Sequence, residues 1–384
     1  MNKLEYDIND SSLEVARNFT IESNGRRFRL FLELVTSCYG NCEGCSLSFI
    51  DKKSLEPSMK IEMTKKIFDY FVPIISAKEN LLTMSLNMGT GDFFIMDNQF
   101  FDDLFKEISI FFNKLPTPRK VLSISTSLSL PEEKLKEKLA IISKYLHPNQ
   151  LALESVVDPL RLEKDYNRYL NNLKSLTKIF PFYDVVLNIS SALKPEHGFL
   201  WAKFLLDTEA LNFDIQYAIN NTNDYRVKIK KEVFDQFISN LYDGLGDKAK
   251  DLFDLSVGIP STKEEGSIFD EIENQAKEMI NERVAVDSLG NMYPIAFGYG
   301  DILLDHRYDF PIIGNIDEKF DSKSAEKKVI DYLSDLFLKH KKCKTCEHSK
   351  VCYSTGYAFY NKFSNKDKCE NIGRFVFEKI YANK

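Results

Sequence analysis

Residues 26–48 read RRFRLFLELVTSCYGNCEGCSLS, a strand-like apolar run that gives way to three cysteines within eight residues, Cys38, Cys42 and Cys45. Glycines at 40 and 44 let the loop fold back tightly, because glycine tolerates positive φ without a Cβ clash, and all three sulfurs can then face one centre. A structural zinc ion nearly always takes four protein ligands, and neither a nearby cysteine nor a nearby histidine completes that set. Three thiolates suit a [4Fe-4S] cluster instead, with one iron left open to an exogenous ligand. An open iron implies chemistry at that iron.

Working outward from this loop, apolar strand-like runs alternate with amphipathic segments for about 200 residues. Strands are expected at 28–35, 81–88, 121–128, 151–155, 185–191 and 213–219. The helices between them are expected at 64–75, 99–113, 131–145, 159–179 and 195–206. Such alternation favours a parallel sheet with covering helices, because parallel neighbours require crossover connections. Six β/α units predict an α/β fold with a curved or partly closed barrel. Beyond about residue 225 the order changes: helices at 230–242 and 268–281, a hairpin turn at Leu289, Gly290 and Asn291, a helix at 324–340, a cysteine-rich segment and a last helix at 372–381.

The 384-residue chain is long enough for one large domain and one smaller one, and 43% hydrophobic residues, 30 of them Phe, supply a sizeable core. The run FFDDLFKEISIFF (residues 100–112) has helical spacing and reads as core, whereas RVKIKKE (226–232) reads as a solvated helix face. A net charge of -6 argues against a general phosphate-backbone binder, so nucleic acid is not an expected partner. The polar N-terminal stretch carries neither a signal peptide nor a membrane span, which predicts a cytoplasmic protein with no membrane association. Thiols stay reduced there, and closely spaced cysteines read as metal ligands or redox groups rather than disulfides.

The C-x3-C-x2-C spacing after the first strand resembles the radical S-adenosylmethionine (SAM) superfamily over roughly residues 25–225. The resemblance implies a partial (β/α)6 barrel in which the SAM amino and carboxylate groups chelate the open iron. An electron from the reduced cluster would then cleave SAM to methionine and a 5'-deoxyadenosyl radical, which abstracts a substrate hydrogen. It also implies an electron donor such as flavodoxin or ferredoxin. The segment MGTGDFF places Gly89, Thr90, Gly91 and Asp92 where the family has a Gly-Gly-Glu-Pro element beside the SAM ammonium; a plain glycine turn is the other reading. Ser155 and Asn188 fall at strand ends where the family binds polar groups of SAM, and each is equally readable as a strand-end polar residue. Gly44 replaces the aromatic residue that many members carry before the third cysteine, leaving backbone contacts or Phe49 to meet the adenine.

The other four of the seven cysteines are Cys343, Cys346, Cys352 and Cys369. Four thiolates hold either zinc or a fully ligated [4Fe-4S] cluster, and spacing alone does not choose. The tail resembles the SPASM extension of radical SAM enzymes, whose C-x2-C-x5-C plus a later cysteine holds an auxiliary [4Fe-4S] cluster. VDSLGNMYPIAF and PIIGNID resemble the hairpin region that opens it. Ile295 and Gly356 stand where a second auxiliary cluster would need cysteines, which implies one auxiliary cluster with an electron-transfer or structural role. The implied division is an N-terminal extension (1–24), the barrel (25–225), a helical connector (226–283) and a SPASM/twitch-like α+β iron-sulfur domain (284–384). His348 is either a solvent-facing residue or a further ligand, and Tyr353, Tyr357 and Tyr360 either pack round the cysteine knot or line a channel.

Family members with this extension mostly modify ribosomally made peptides, so peptide cross-linking or other peptide maturation is the expected function. A radical dehydrogenase or isomerase of a small metabolite is the alternative among enzymes, and a zinc-stabilised, non-catalytic binding module the alternative outside them. Sulfatase-type oxidation is disfavoured by Ala296, which stands where that reaction's catalytic Asp is expected.

Overall fold

A computed structural model describes residues 26–35, 38, 59–189, 192–210, 213–217, 230–256, 276–277, 280–294 and 311–338. Six strands run in sequence order across one sheet: β1 (Arg27–Val35), β2 (Thr83–Thr90), β3 (Arg119–Thr126), β4 (Leu151–Val157), β5 (Phe182–Ile189) and β6 (Phe213–Tyr217). Every neighbouring pair among them is parallel. The connections carry helices α1 (Ile61–Ser76), α2 (Asn98–Lys114), α3 (Glu132–Tyr145), α4 (Pro159–Thr177) and α5 (His197–Asp207). After β6 come α6 (Lys231–Leu245) and α7 (Ala249–Ser256). This is the expected α/β architecture, and the sheet is not closed.

The expected hairpin at residues 289–291 forms, and it joins the barrel's own sheet. Strand β7 (Arg283–Val286) pairs parallel with β1, and β8 (Asn291–Pro294) and β9 (Gly314–Asn315) follow antiparallel. Gly290 sits in the turn at φ +80°, where a side chain would be strained. A final described helix, α8, spans Ser322–Leu338. Of the helix expected at 268–281, residues 276, 277 and 280–281 are described, all helical. The last helix lies outside the described residues.

One face of the sheet is apolar and covered by helices. Phe28, Leu30 and Leu32 of β1 are in register with Met84, Leu86 and Met88 of β2, and all are buried in the core. The Phe-rich helix is core, as its spacing predicts: Phe100, Phe101, Leu104, Phe105, Ile108, Phe111 and Phe112 are buried along one stripe of α2. Asp97 caps that helix, accepting from the Phe100 N–H at 2.7 Å. The Phe68 and Phe111 rings stack at 4.3 Å and fasten α1 to α2. Each such side chain contributes about 1.5–3 kcal/mol on burial.

Strand β3 ends two residues before its expected limit. Leu128 adopts φ +55°, outside strand geometry, and the next turn is held from α4. Asn172 donates to the Leu128 and Leu130 carbonyls at 2.9 and 2.8 Å, and Arg161 donates to the Ser127 carbonyl at 3.1 Å. Tertiary hydrogen bonds thus set this boundary. No helix among the described residues is long and apolar enough to cross a membrane.

Candidate functional site

The face of the sheet turned away from the helices is polar. On β2 it carries Thr83, Ser85, Asn87 and Gly89, and the Ser85 hydroxyl donates to Asn87 Oδ1 at 3.0 Å. On β1 it carries Arg27, Arg29, Phe31 and Glu33, in register with those four. Glu154 of β4 and Asp184 of β5 pair on the same face. So many polar residues on one face are unusual for a parallel sheet, whose two faces are usually both apolar. None of these residues except Gly89 was among the sequence candidates, although RFRLFLEL and TMSLNMG alternate visibly.

In open α/β sheets ligands gather at the carboxyl ends of the strands. Cys38 lies there, three residues past β1, partly exposed and not in a disulfide. Cys42, Cys45, Cys343, Cys346, Cys352 and Cys369 lie outside the described residues, as do His348 and the three tail tyrosines. Gly89 lies at the same end of β2, and among the described residues a β-carbon built on it would meet nothing within 4 Å beyond its chain neighbours. Val35 is in register with Thr90, so β1 ends beside the Gly89–Asp92 segment. Asn188, half-buried near the end of β5, occupies the polar face.

Two candidates stand elsewhere. Ser155 is in register with Thr126 and Val185, on the helix-covered side, where its buried hydroxyl donates to the Asp184 carbonyl at 3.0 Å. Asp92 is also buried, and its carboxylate is used within the chain. It accepts from Phe94 N–H at 3.2 Å, Thr126 Oγ1 at 3.1 Å, Ser127 N–H at 3.1 Å and the Ser127 hydroxyl. Burial raises its pKa, and those four hydrogen bonds oppose the shift. Asp92 therefore clamps the loop after β2 to the end of β3.

At the other margin Glu33 is 8% exposed. Burial first, and the Asp287 charge second, push its carboxyl up to about 7. Asp287 itself is held in the hairpin, accepting from the Leu289 and Asn291 N–H groups at 2.9 Å each and from the Tyr293 hydroxyl at 3.0 Å. Burial raises the Tyr293 pKa as well, with the Asp287 charge adding to it.

Neither a family model nor a curated protein sequence matches the chain. Solved structures do. The chain is similar to anSMEcpe with bound AdoMet, at 14% identity and a TM-score of 0.59, covering 93% of this chain and 97% of that one. It is similar to anSMEcpe with bound AdoMet and the Cp18Cys peptide at 15% identity and the same TM-score, again over 93% and 97%. The fold is that of the radical SAM enzymes. At this identity the likeness establishes architecture alone. Within the radical SAM fold, Cys38, the Gly89–Asp92 segment and Asn188 share the carboxyl-end rim of the sheet, and the geometry there fits the groups the sequence implies: a thiol clear of the core, and a glycine whose β-carbon position has nothing within 4 Å among the described residues.

Proposed function

We propose that this protein is a radical SAM enzyme acting on a peptide, with Cys38, Cys42 and Cys45 holding the SAM-binding [4Fe-4S] cluster. The observation that carries the reading is the placement of Cys38 immediately beyond β1 of a parallel partial barrel, at the head of a C-x3-C-x2-C loop. When bound, such a cluster supplies the electron that cleaves SAM to a 5'-deoxyadenosyl radical. The chain's own part is placement. Gly89 leaves room for a ligand, Asp92 fixes the loop through Ser127 and Thr126, and Asn188 offers an amide from the facing side. Ser155 contributes through the Asp184 backbone it holds.

A peptide substrate is favoured because anSMEcpe, which shares the fold across nearly the whole chain, has been solved with a peptide bound. Peptide maturation by cross-linking or a related oxidation fits that reading. Cys343, Cys346, Cys352 and Cys369 complete it as ligands of one auxiliary [4Fe-4S] cluster in a domain from about residue 284 onward, with a flavodoxin or ferredoxin as electron donor in the cytoplasm.

Anaerobic reconstitution tests this directly. The expected result is roughly eight irons per chain, two four-iron clusters, with 5'-deoxyadenosine released from SAM on reduction. A colourless protein that binds zinc and leaves SAM intact would overturn it.

A further inference from the structure

Glu33 is more than nine-tenths buried on the polar face of β1, and it has no hydrogen-bond or ion-pair partner among the described residues. Its register neighbour on β2 is Gly89, which contributes no side chain and has nothing within 4 Å of its β-carbon position among the described residues. Its neighbour on the other side, one step beyond the Leu32–Val286 pair, is Asp287. That carboxylate has hydrogen bonds of its own from the hairpin and brings no proton to Glu33. Arg29 and Arg283 share the face four residues back along their strands, and each has an interaction of its own. Glu154 and Asp184 add two further carboxylates at a similar level across the sheet, also with interactions of their own.

A carboxyl this deeply buried, with no donor among the described residues, is stabilised by a ligand that supplies one. The neighbourhood specifies that ligand's sign and shape. Asp287 repels a second negative charge, and its effect on Glu33 is relieved by a cation. Phe31, Ala285 and Tyr293 form a small apolar cluster on the same face, suited to an aliphatic stem.

We propose that Glu33 receives a cationic nitrogen of the substrate, an ammonium or guanidinium on an aliphatic stem that lies against Phe31 and Tyr293. This deepens the reading above by naming the chemical class of side chain presented to the barrel; turnover rests on that reading, whereas the binding step does not.

The test is calorimetric titration of the full-length, reconstituted protein with n-butylammonium and with methylguanidinium, saturating SAM being present, and n-pentanol as the neutral control. Binding of at least one cation and no binding of the alcohol is expected at about pH 8, with affinity falling at about pH 5.5 as Glu33 takes up its proton. Glu33→Gln should weaken binding by about tenfold or more, as loss of a charge-assisted hydrogen bond requires. Because the substitution removes a buried charge, the variant should fold, and its melting temperature confirms that. Equal affinity in Glu33→Gln, binding of the alcohol as strong as that of the cations, or no cation binding in the wild type would overturn the proposal. Binding seen only when SAM is left out would assign the carboxylate to SAM's own ammonium and overturn it equally. If the wild type binds the cation through Glu33 yet never cleaves SAM, the radical reading fails and the cation site stands. SAM cleavage without Glu33-dependent binding overturns the cation site and leaves the radical reading in place. The better-bound cation distinguishes a lysine-like from an arginine-like side chain.

Discussion

Asp92 takes four hydrogen bonds from Phe94, Thr126 and Ser127, and its removal strands backbone N–H groups in a buried place. Asp92→Ala should therefore lower the unfolding free energy by about 2–4 kcal/mol, read as a shift of the urea midpoint at constant slope. Glu33 behaves in the opposite sense. It binds a proton more readily when folded, at about 7, than at its ordinary value of 4.5. Its contribution to stability is thus fully present below about pH 4.5 and is lost as pH rises through 7. Glu33→Gln should remove that loss, leaving the variant more stable than the wild type at about pH 8, by on the order of 3 kcal/mol at most, with the gap closing in acid. A gap that does not change with pH would show that Glu33 stays charged in the fold.

At the scale of elements, α5 and α6 approach so closely that only a glycine fits between them. A β-carbon on Gly198 would lie 2.3 Å from the Phe237 carbonyl oxygen and 2.6 Å from the Leu241 nitrogen. Gly198→Ala should cost about 1–3 kcal/mol, because backbone on a packed helix cannot yield as a side-chain tip can. Gly89→Ala meets nothing within 4 Å and should change stability by no more than about 0.5 kcal/mol, while weakening SAM binding in equilibrium dialysis of the reconstituted protein. Most elements were legible from hydrophobic period. The α2 stripe of Phe100, Phe101, Phe105, Phe111 and Phe112 is buried as its spacing requires. The end of β3 was not legible, since Leu128 is turned by hydrogen bonds from Asn172, far along the chain. Nor did VAVD announce that β7 would pair parallel with β1, a choice made by the sheet edge rather than by local propensity.

Over the whole molecule, two cysteine groups at opposite ends of the chain should act as separable iron sites. Cys38→Ala should lower iron from about eight to about four per chain and abolish 5'-deoxyadenosine formation, and Cys352→Ala should remove a similar amount of iron by itself. Iron analysis with electron paramagnetic resonance of the reduced protein reads both. Loss of all iron from either variant would mean a single shared site.

The sequence by itself determined the order of strands and helices and the cysteine triplet beyond β1. Hydrophobic period and covalent spacing are local properties, and no distant contact is needed to express them. Only the tertiary structure decided which candidates share a face. Strand register turned Ser155 toward the helices and Asn188 toward the interior, buried Asp92 in a clamp, and set Glu33 between Gly89 and Asp287. A one-residue slip in pairing reverses every side chain on a strand, and register is fixed by packing across the whole sheet rather than by the residues within one strand.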